Sequence, residues 1–209
     1  MKVGTDGTLL GVWAHGGDCI LDIGTGTGLV ALMMAQRFPL AEVTGIDIDS
    51  DACIQARENV EASPFTISIL HGDVADLKGE YDCIVSNPPY FCDSLECPDE
   101  QRTTARHASA LSYRKLMESS WLLLSDEGEM SLIIPVEYQS RLESEAALVG
   151  FFKVRECFVR TTPRKAPKRV LMAFRKHPTA FVKEDDGIIE TAPNVRSSWY
   201  HELTKDFYL

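Results

Sequence analysis

The chain reads as an α/β protein with a doubly wound sheet, and three stretches carry that reading. Residues 19–23 are a short apolar strand, followed by the turn Gly24-Thr25-Gly26-Thr27-Gly28. Residues 29–37 then place Leu29, Leu32, Met33 and Gln36 at helical spacing. A second strand, 42–46, ends in Asp47, which completes the order of a nucleotide-binding βαβ unit. The third stretch is 81–86, apolar and β-branched like a buried strand, which delivers Asn87-Pro88-Pro89-Tyr90 to the sheet edge.

The other elements follow in order. The glycine-rich opening, residues 2–11, predicts a loop leading into a short helix, and glycines so close together suit either backbone approach to a ligand or a simple turn. A helix starts near Asp49 and Ser50, good capping residues, carries Ala52, Ala56 and Val60 on one face, and ends before Pro64. Residues 66–70 are a third strand leading to His71-Gly72-Asp73-Val74, with His71 read as structural. Residues 91–109 are irregular and too polar for core, as expected of a substrate-side loop. An amphipathic helix over 110–124 turns Leu111, Met117, Trp121 and Leu124 inward. Strand five spans 128–134, a helix 137–149 ends on Gly150, and strands at 151–160 and 169–175 flank a loop at 161–168. The tail from His177 holds a short strand around Ile188 and a helical stretch at 202–208.

At 209 residues the chain suits one domain, 1–209. No apolar run approaches membrane-spanning length and the start lacks a signal-peptide pattern, so a cytoplasmic location is expected. The six cysteines are scattered without metal-ligand spacing and read as reduced thiols, with no metal site. Net charge is −10, yet residues 157–183 hold no Asp or Glu and eight basic residues, among them Arg164, Lys165, Lys168 and Arg169. Salt confines each charge to roughly 8–10 Å, so a local basic surface on an acidic protein still binds phosphates. A solvated positive face has the same composition.

The glycine spacing excludes a dinucleotide fingerprint, whose third glycine would fall at Leu29. The pattern D-x-G-x-G-x-G beginning at Asp22 needs no pyrophosphate. It suits the amino-acid end of S-adenosylmethionine, with Asp22 facing the ammonium and backbone amides the carboxylate. Asp47 would take the ribose hydroxyls and Asp73 the adenine amine. At the elbow, neither proline can continue a strand ladder, and Pro88 keeps Asn87 out of the helical region. The Asn87 carboxamide and the Pro88 carbonyl are then two fixed acceptors for the N–H bonds of a flat amine, whose lone pair is otherwise held in its π system. Tyr90 would stack on the planar substrate. The same four residues alone are equally those of an ordinary turn.

Taken together, D-I-G-T-G-T-G (22–28), G-I-D-I-D (45–49), G-D-V (72–74) and N-P-P-Y (87–90) resemble the amino-methylating class I S-adenosylmethionine-dependent methyltransferases. The opening K-V-G-T-D-G-T-L-L-G, Ala105-Arg106-His107, P-R-K-A-P-K-R-V (163–170) and the ending L-T-K-D-F-Y-L narrow this to the bacterial tRNA(Val) adenine-N6 methyltransferases. The resemblance implies a Rossmann-like seven-stranded sheet, mostly parallel with an antiparallel last strand, and helices on both faces. It implies methylation of the adenine 3′ of the anticodon, tRNA as partner and a monomer. By position, Asp22, Gly24, Gly26 and Gly28 hold the methionine part, Asp47 the ribose, and Asp73 with Val74 the adenine. Thr5, Ile48 and Asn87 belong to the same set. Asn87, Pro88, Pro89 and Tyr90 are the catalytic group; Arg102, Arg106, His107, Arg164, Lys165, Lys168 and Arg169 face RNA. Residues 1–17 form a segment on the cofactor and substrate side. The family has a further stretch before K-V-G-T-D-G, so either the start is trimmed or this protein lacks that cover. The elbow itself also fits a protein glutamine amide, a DNA adenine or a ribosomal RNA guanine. The basic segment argues against the first, and the lack of room for a recognition domain against the second.

Overall fold

The structure, a computed structural model, describes residues 4–89 and 111–207. In chain order the described elements are α1 (Thr5–Trp13), β1 (Cys19–Ile23), α2 (Leu29–Arg37), β2 (Glu42–Asp47), α3 (Ser50–Glu61), β3 (Ile67–His71), β4 (Tyr81–Ser86), α4 (Tyr113–Leu123), β5 (Leu124–Pro135), α5 (Gln139–Val149), β6 (Phe152–Arg160) and β7 (Arg169–Arg175). The tail adds β8 (Val182–Lys183), β9 (Gly187–Ile188), the hairpin β10 (Glu190–Ala192) and β11 (Val195–Arg196), and α6 (Ser198–Thr204).

The sheet runs β3-β2-β1-β4-β5-β7-β6. Strands β1 to β5 pair in parallel, and β7 lies antiparallel between β5 and β6. The reversed last strand of the expected seven is therefore present. β1, four of its five residues buried, is flanked by β2 and β4, as a near-continuous apolar strand covered on both faces should be. On one face α1, α2 and α6 bury Leu9, Leu10, Trp13, Met34 and Tyr200 against Ile20, Val43, Val85 and Ile133. On the other, α4 and α5 bury Leu116, Met117, Leu123 and Leu142 against Leu21, Ile84, Leu132 and Met172. Trp121, expected inward, is only half-buried and meets Phe151 edge-on at 5.1 Å between ring centres.

Two expectations change. The glycine-rich opening is already helix from Thr5, and its glycines approach another helix. A Cβ on Gly7 would sit 3.2 Å from Leu29 Cδ2, and one on Gly11 2.8 Å from Met33 Sδ. Four residues apart, the two glycines share one face of α1, and that face lies on α2. Burial of Leu9, Leu10, Val12 and Trp13 outweighs the cost of glycine in a helix, roughly 1 kcal/mol each.

The second is an addition at the sheet edge: among the described residues the expected seven strands are extended by two short ones. β8 and β9 pair in parallel with β6 and cover backbone groups that would otherwise be an open edge. Glu184 holds this strap to α1, accepting from Trp13 Nε1 at 2.8 Å and from Arg155 at 3.2 Å. The Arg155 guanidinium stacks 3.6 Å from the Trp13 ring centre. The last helix lies at Ser198–Thr204, capped by the Ser197 hydroxyl, earlier than the stretch expected at 202–208. Cys19, Cys53, Cys83 and Cys157 are free thiols, and burial pushes Cys83 up to about 12; Cys92 and Cys97 lie outside the described residues. Among the described residues no helix is long and apolar enough to cross a membrane.

The α1–α2 contact is testable. Gly11→Val should overpack it and destabilise the protein by about 1–3 kcal/mol, read as a lowered midpoint in urea; an unchanged midpoint would mean the helices separate freely.

Candidate active site

Parallel register brings four strand ends to one edge. Ile23 is level with Ile46 on one side and Ser86 on the other, and Asp47 is level with His71. The glycine turn, Asp47, Gly72-Asp73 and Asn87 therefore leave the sheet side by side. The buried Ser86 hydroxyl closes this edge by donating to the Ile23 carbonyl at 2.8 Å. A cavity of about 660 Å³ opens there, walled by the glycine turn, by Asp47 to Asp49, by Gly72 to Val74, by Asn87 and Pro89, and by Gly7 of α1 and its N-cap Gly4.

The turn is built on left-handed backbone at Gly24 (φ +72°), Gly26 (φ +56°) and Gly28 (φ +80°). Non-glycine residues rarely adopt these angles. The Ile46 carbonyl accepts from the Gly24 and Thr25 amides at 2.8 and 3.1 Å. Asp47 accepts from the Gly26 amide at 2.8 Å through one oxygen and from the Asp49 amide at 3.0 Å through the other. Each of its oxygens keeps a second lone pair for a ligand. Gly28, the N-cap of α2, does not line the cavity; its place is set by conformation and by Ala56, 3.4 Å from a built Cβ.

Asp22 is a brace as well as part of the cavity wall. It is 1% exposed, and one oxygen accepts from the Thr25 hydroxyl at 2.7 Å and from the Ala31 amide at 3.1 Å. The second bond satisfies an amide in the first turn of α2 that has no partner within the helix. Burial pushes its carboxyl up to about 7. Gly45 makes the slot for this arrangement, since a Cβ there would stand 2.7 Å from Thr25 Oγ1. Thr25 and Gly45 lie inside the motifs D-I-G-T-G-T-G and G-I-D-I-D, but the sequence assigned neither of them a role of its own.

Asp73 accepts from the Ala75 amide at 2.9 Å and pairs with Lys115 of α4, whose ammonium holds its carboxyl below the usual range. His71 Nε2 lies 3.2 Å from the Ile48 carbonyl, a structural placement. At the elbow Asn87 is half-buried, Pro88 buried and Pro89 exposed. Thr5 is exposed at the start of α1, and neither it nor Pro88 lines the cavity, whereas Leu111, expected only as an inward residue of a helix, and Lys115, which the sequence did not single out, both do. Tyr90, Arg102, Arg106 and His107 lie outside the described residues.

The basic run is divided by the fold. Arg160 pairs with Asp186 and Arg169 with Asp6 of α1, while Arg175 pairs with Glu129, and Lys176 donates to the Leu124 carbonyl. Arg164, Lys165 and Lys168 are exposed, with no ion pair to another described residue. They sit on the β6–β7 loop, and Arg169 is level with Pro135 at the C-terminal end of β5. This is the edge that carries the cavity.

Asp22 generates a pH prediction. A carboxyl raised from 3.8 to about 7 favours the folded state while protonated, and that advantage is lost as pH rises through about 7. Asp22→Asn removes the titration. Wild type should therefore lose stability relative to the variant as pH rises from about 4 to about 7, by up to ~1.4 kcal/mol per pH unit. A stability difference that stays flat over that range would rule out the raised carboxyl.

The methyltransferase small domain model matches residues 12–161. A tRNA1(Val) (adenine(37)-N6)-methyltransferase of Phocaeicola vulgatus is 47% identical, aligned over 100% of this chain and 91% of its own length. The Bacteroides thetaiotaomicron protein of that name is 44% identical with the same coverage. Among solved structures, an Agrobacterium tumefaciens chain described as a predicted O-methyltransferase superposes with a TM-score of 0.76 at 18% identity, covering 96% of both chains. A Pyrococcus furiosus methyltransferase gives 0.61 at 21% identity, covering 81% of this chain and 80% of its own. The two structures share the fold; the two relatives share sequence from end to end of the chain. With the glycine turn, the acid-ended second strand and the Asn-Pro-Pro elbow around one cavity, the chain belongs to the methyltransferase small domain family, among the bacterial tRNA1(Val) adenine-N6 methyltransferases.

Proposed function

We propose that this protein transfers a methyl group from S-adenosylmethionine to the exocyclic N6 amine of a tRNA adenine, the one 3′ of the anticodon in tRNA(Val). The observation that carries the residue assignments is the shared register of β1 and β4, which sets Asn87 beside the glycine turn on one cavity wall. The donor's fit follows from charge. Asp22, Asp47, Asp49 and Asp73 line the cavity with Lys115 as the one cationic side chain among its described lining residues. Such a wall favours a ligand bearing ammonium, sulfonium and hydroxyl groups and disfavours a pyrophosphate.

When bound, the donor supplies a methyl group on a positively charged sulfur. The glycine turn and Asp22 hold its amino-acid end, Asp47 and Ile48 its ribose side, and Asp73 with Val74 its base. Thr5 stands at the start of the helix whose Gly4 and Gly7 close the cavity, and acts from that rim. Asn87 and Pro88 accept the two N–H bonds of the target amine through the side-chain and main-chain carbonyls. These acceptors would return electron density to nitrogen and favour its pyramidal form as the N–C bond forms and the donor's S–C bond breaks, leaving S-adenosylhomocysteine. Pro88 and Pro89 keep the acceptors fixed, so no reorganisation is needed at reaction. Tyr90, next in the chain, supplies the ring that stacks on the base. The nitrogen would lose one proton to solvent after transfer, and no base is required before attack. Arg164, Lys165 and Lys168 receive phosphates, with Arg102, Arg106 and His107 as further RNA contacts. Arg169 holds the loop to α1. The enzyme acts as a cytoplasmic monomer.

The test is incubation with labelled donor and total RNA, followed by nucleoside mass spectrometry. N6-methyladenosine should appear in one tRNA, and Asn87→Ala should lower kcat by about 10²–10³, as loss of one preorganised group does, with donor affinity kept. Label in a protein glutamine would replace this reading with the amide-methylating one. Replacing Arg164, Lys165 and Lys168 together by Ala should also weaken tRNA binding and reduce the slope of log affinity against log salt by about 2–3. An unaltered slope would make the loop a solvated face only.

A further inference from the structure

We infer that Lys115 is a specificity-determining residue for the base of the methyl donor, acting through Asp73. The inference rests on the proposed placement of that base at Asp73 and Val74. Lys115 and Asp73 lie 42 residues apart in sequence, yet their side chains meet at the cavity wall and both line it. Lys115 stands on a rigid base: its amide donates to the Ser112 hydroxyl at the α4 N-cap, and Leu116 and Met117 beside it are fully buried. Val74, next to Asp73, is buried in the same apolar cluster as those two residues. The Lys115 stem therefore starts from a fixed point relative to the loop that carries Asp73.

The two side chains are 36% and 28% exposed, too open for the ion pair to contribute much to stability. Its consequence is orientation. Asp73 gives one oxygen to the Ala75 amide and the other to Lys115, so the carboxylate is held at both ends. Held and ionised, it can only accept hydrogen bonds. Adenine presents an amine donor at its six position, which such an acceptor binds; hypoxanthine presents an oxygen there, which it repels. Without Lys115, Asp73 regains rotamer freedom and meets both bases less selectively. Lys115 is thus a positioning residue, and Asp73 the group it aims.

Calorimetric titration of the full chain with S-adenosylhomocysteine and with S-inosylhomocysteine tests this. Wild type should favour the adenine compound. Lys115→Met should lower its affinity roughly fivefold, the upper range for a partly exposed ion pair, and leave the hypoxanthine compound's affinity unchanged. Lys115→Arg should restore most of the preference. Adding Lys115→Met to Asp73→Asn should have no further effect, as expected if one residue acts through the other. Equal loss for both compounds, or no loss for either, would overturn the inference while leaving the donor site standing. Failure of wild type to bind either compound would remove the proposed donor site and the inference together.

Discussion

Strand β1 makes parallel ladders on both sides, to β2 and to β4, and the chemistry of the molecule hangs on those two ladders. Because Ile23 is level with Ile46 and with Ser86, the chain leaves the sheet at three neighbouring points along one edge. A slip of one residue in either ladder would turn every side chain of that strand to the opposite face and move its loop along the edge. The register is held by burial on both faces of β1 and β4, and locally by Ser86 donating to the Ile23 carbonyl. Acceptor elbow and glycine turn meet because of this pairing, although 58 or more residues of chain separate Asn87 from the turn.

The same edge carries groups that are costly in themselves. Asp22 is buried, and its ionised form is penalised; three glycines take left-handed angles and are followed directly by a helix. Each is offset by a specific partner, Asp22 by the Thr25 hydroxyl and the Ala31 amide, the turn by the Ile46 carbonyl and Asp47. The rest of the fold supports this edge from behind. α1 lies closely on α2 through Gly7 and Gly11, and the tail holds α1 through Glu184 and Trp13.

Charge is also arranged by the fold. Four carboxylates gather in the cavity wall, while three exposed cations stand on the β6–β7 loop at the same edge. In a protein with a net charge of −10, four acidic groups thus line one cavity while a basic loop stands at the same sheet edge. Exposed charges further apart than a Debye length, about 8 Å at physiological salt, are largely screened from one another.

The sequence by itself determined the strand–turn–helix units, because apolar period, caps and breakers act over a few residues: β7 and α2 fall where their patterns end, and Gly150 ends α5 in the left-handed conformation. It also marked the residues of the glycine turn, Asp47 and the elbow, since each motif is contiguous. Tertiary structure alone decided which neighbours complete them. Lys115 reaches Asp73, Gly45 admits Thr25, and Arg169 turns to Asp6, and no local pattern announces contacts between residues so far apart. For the same reason the opening glycines read as a loop until α2 supplied the surface they pack on, and the basic run read as one patch until β7 carried Arg175 to Glu129 at its far end. Local propensity acts through the backbone of adjacent residues, whereas burial and ion pairing depend on what the fold sets alongside.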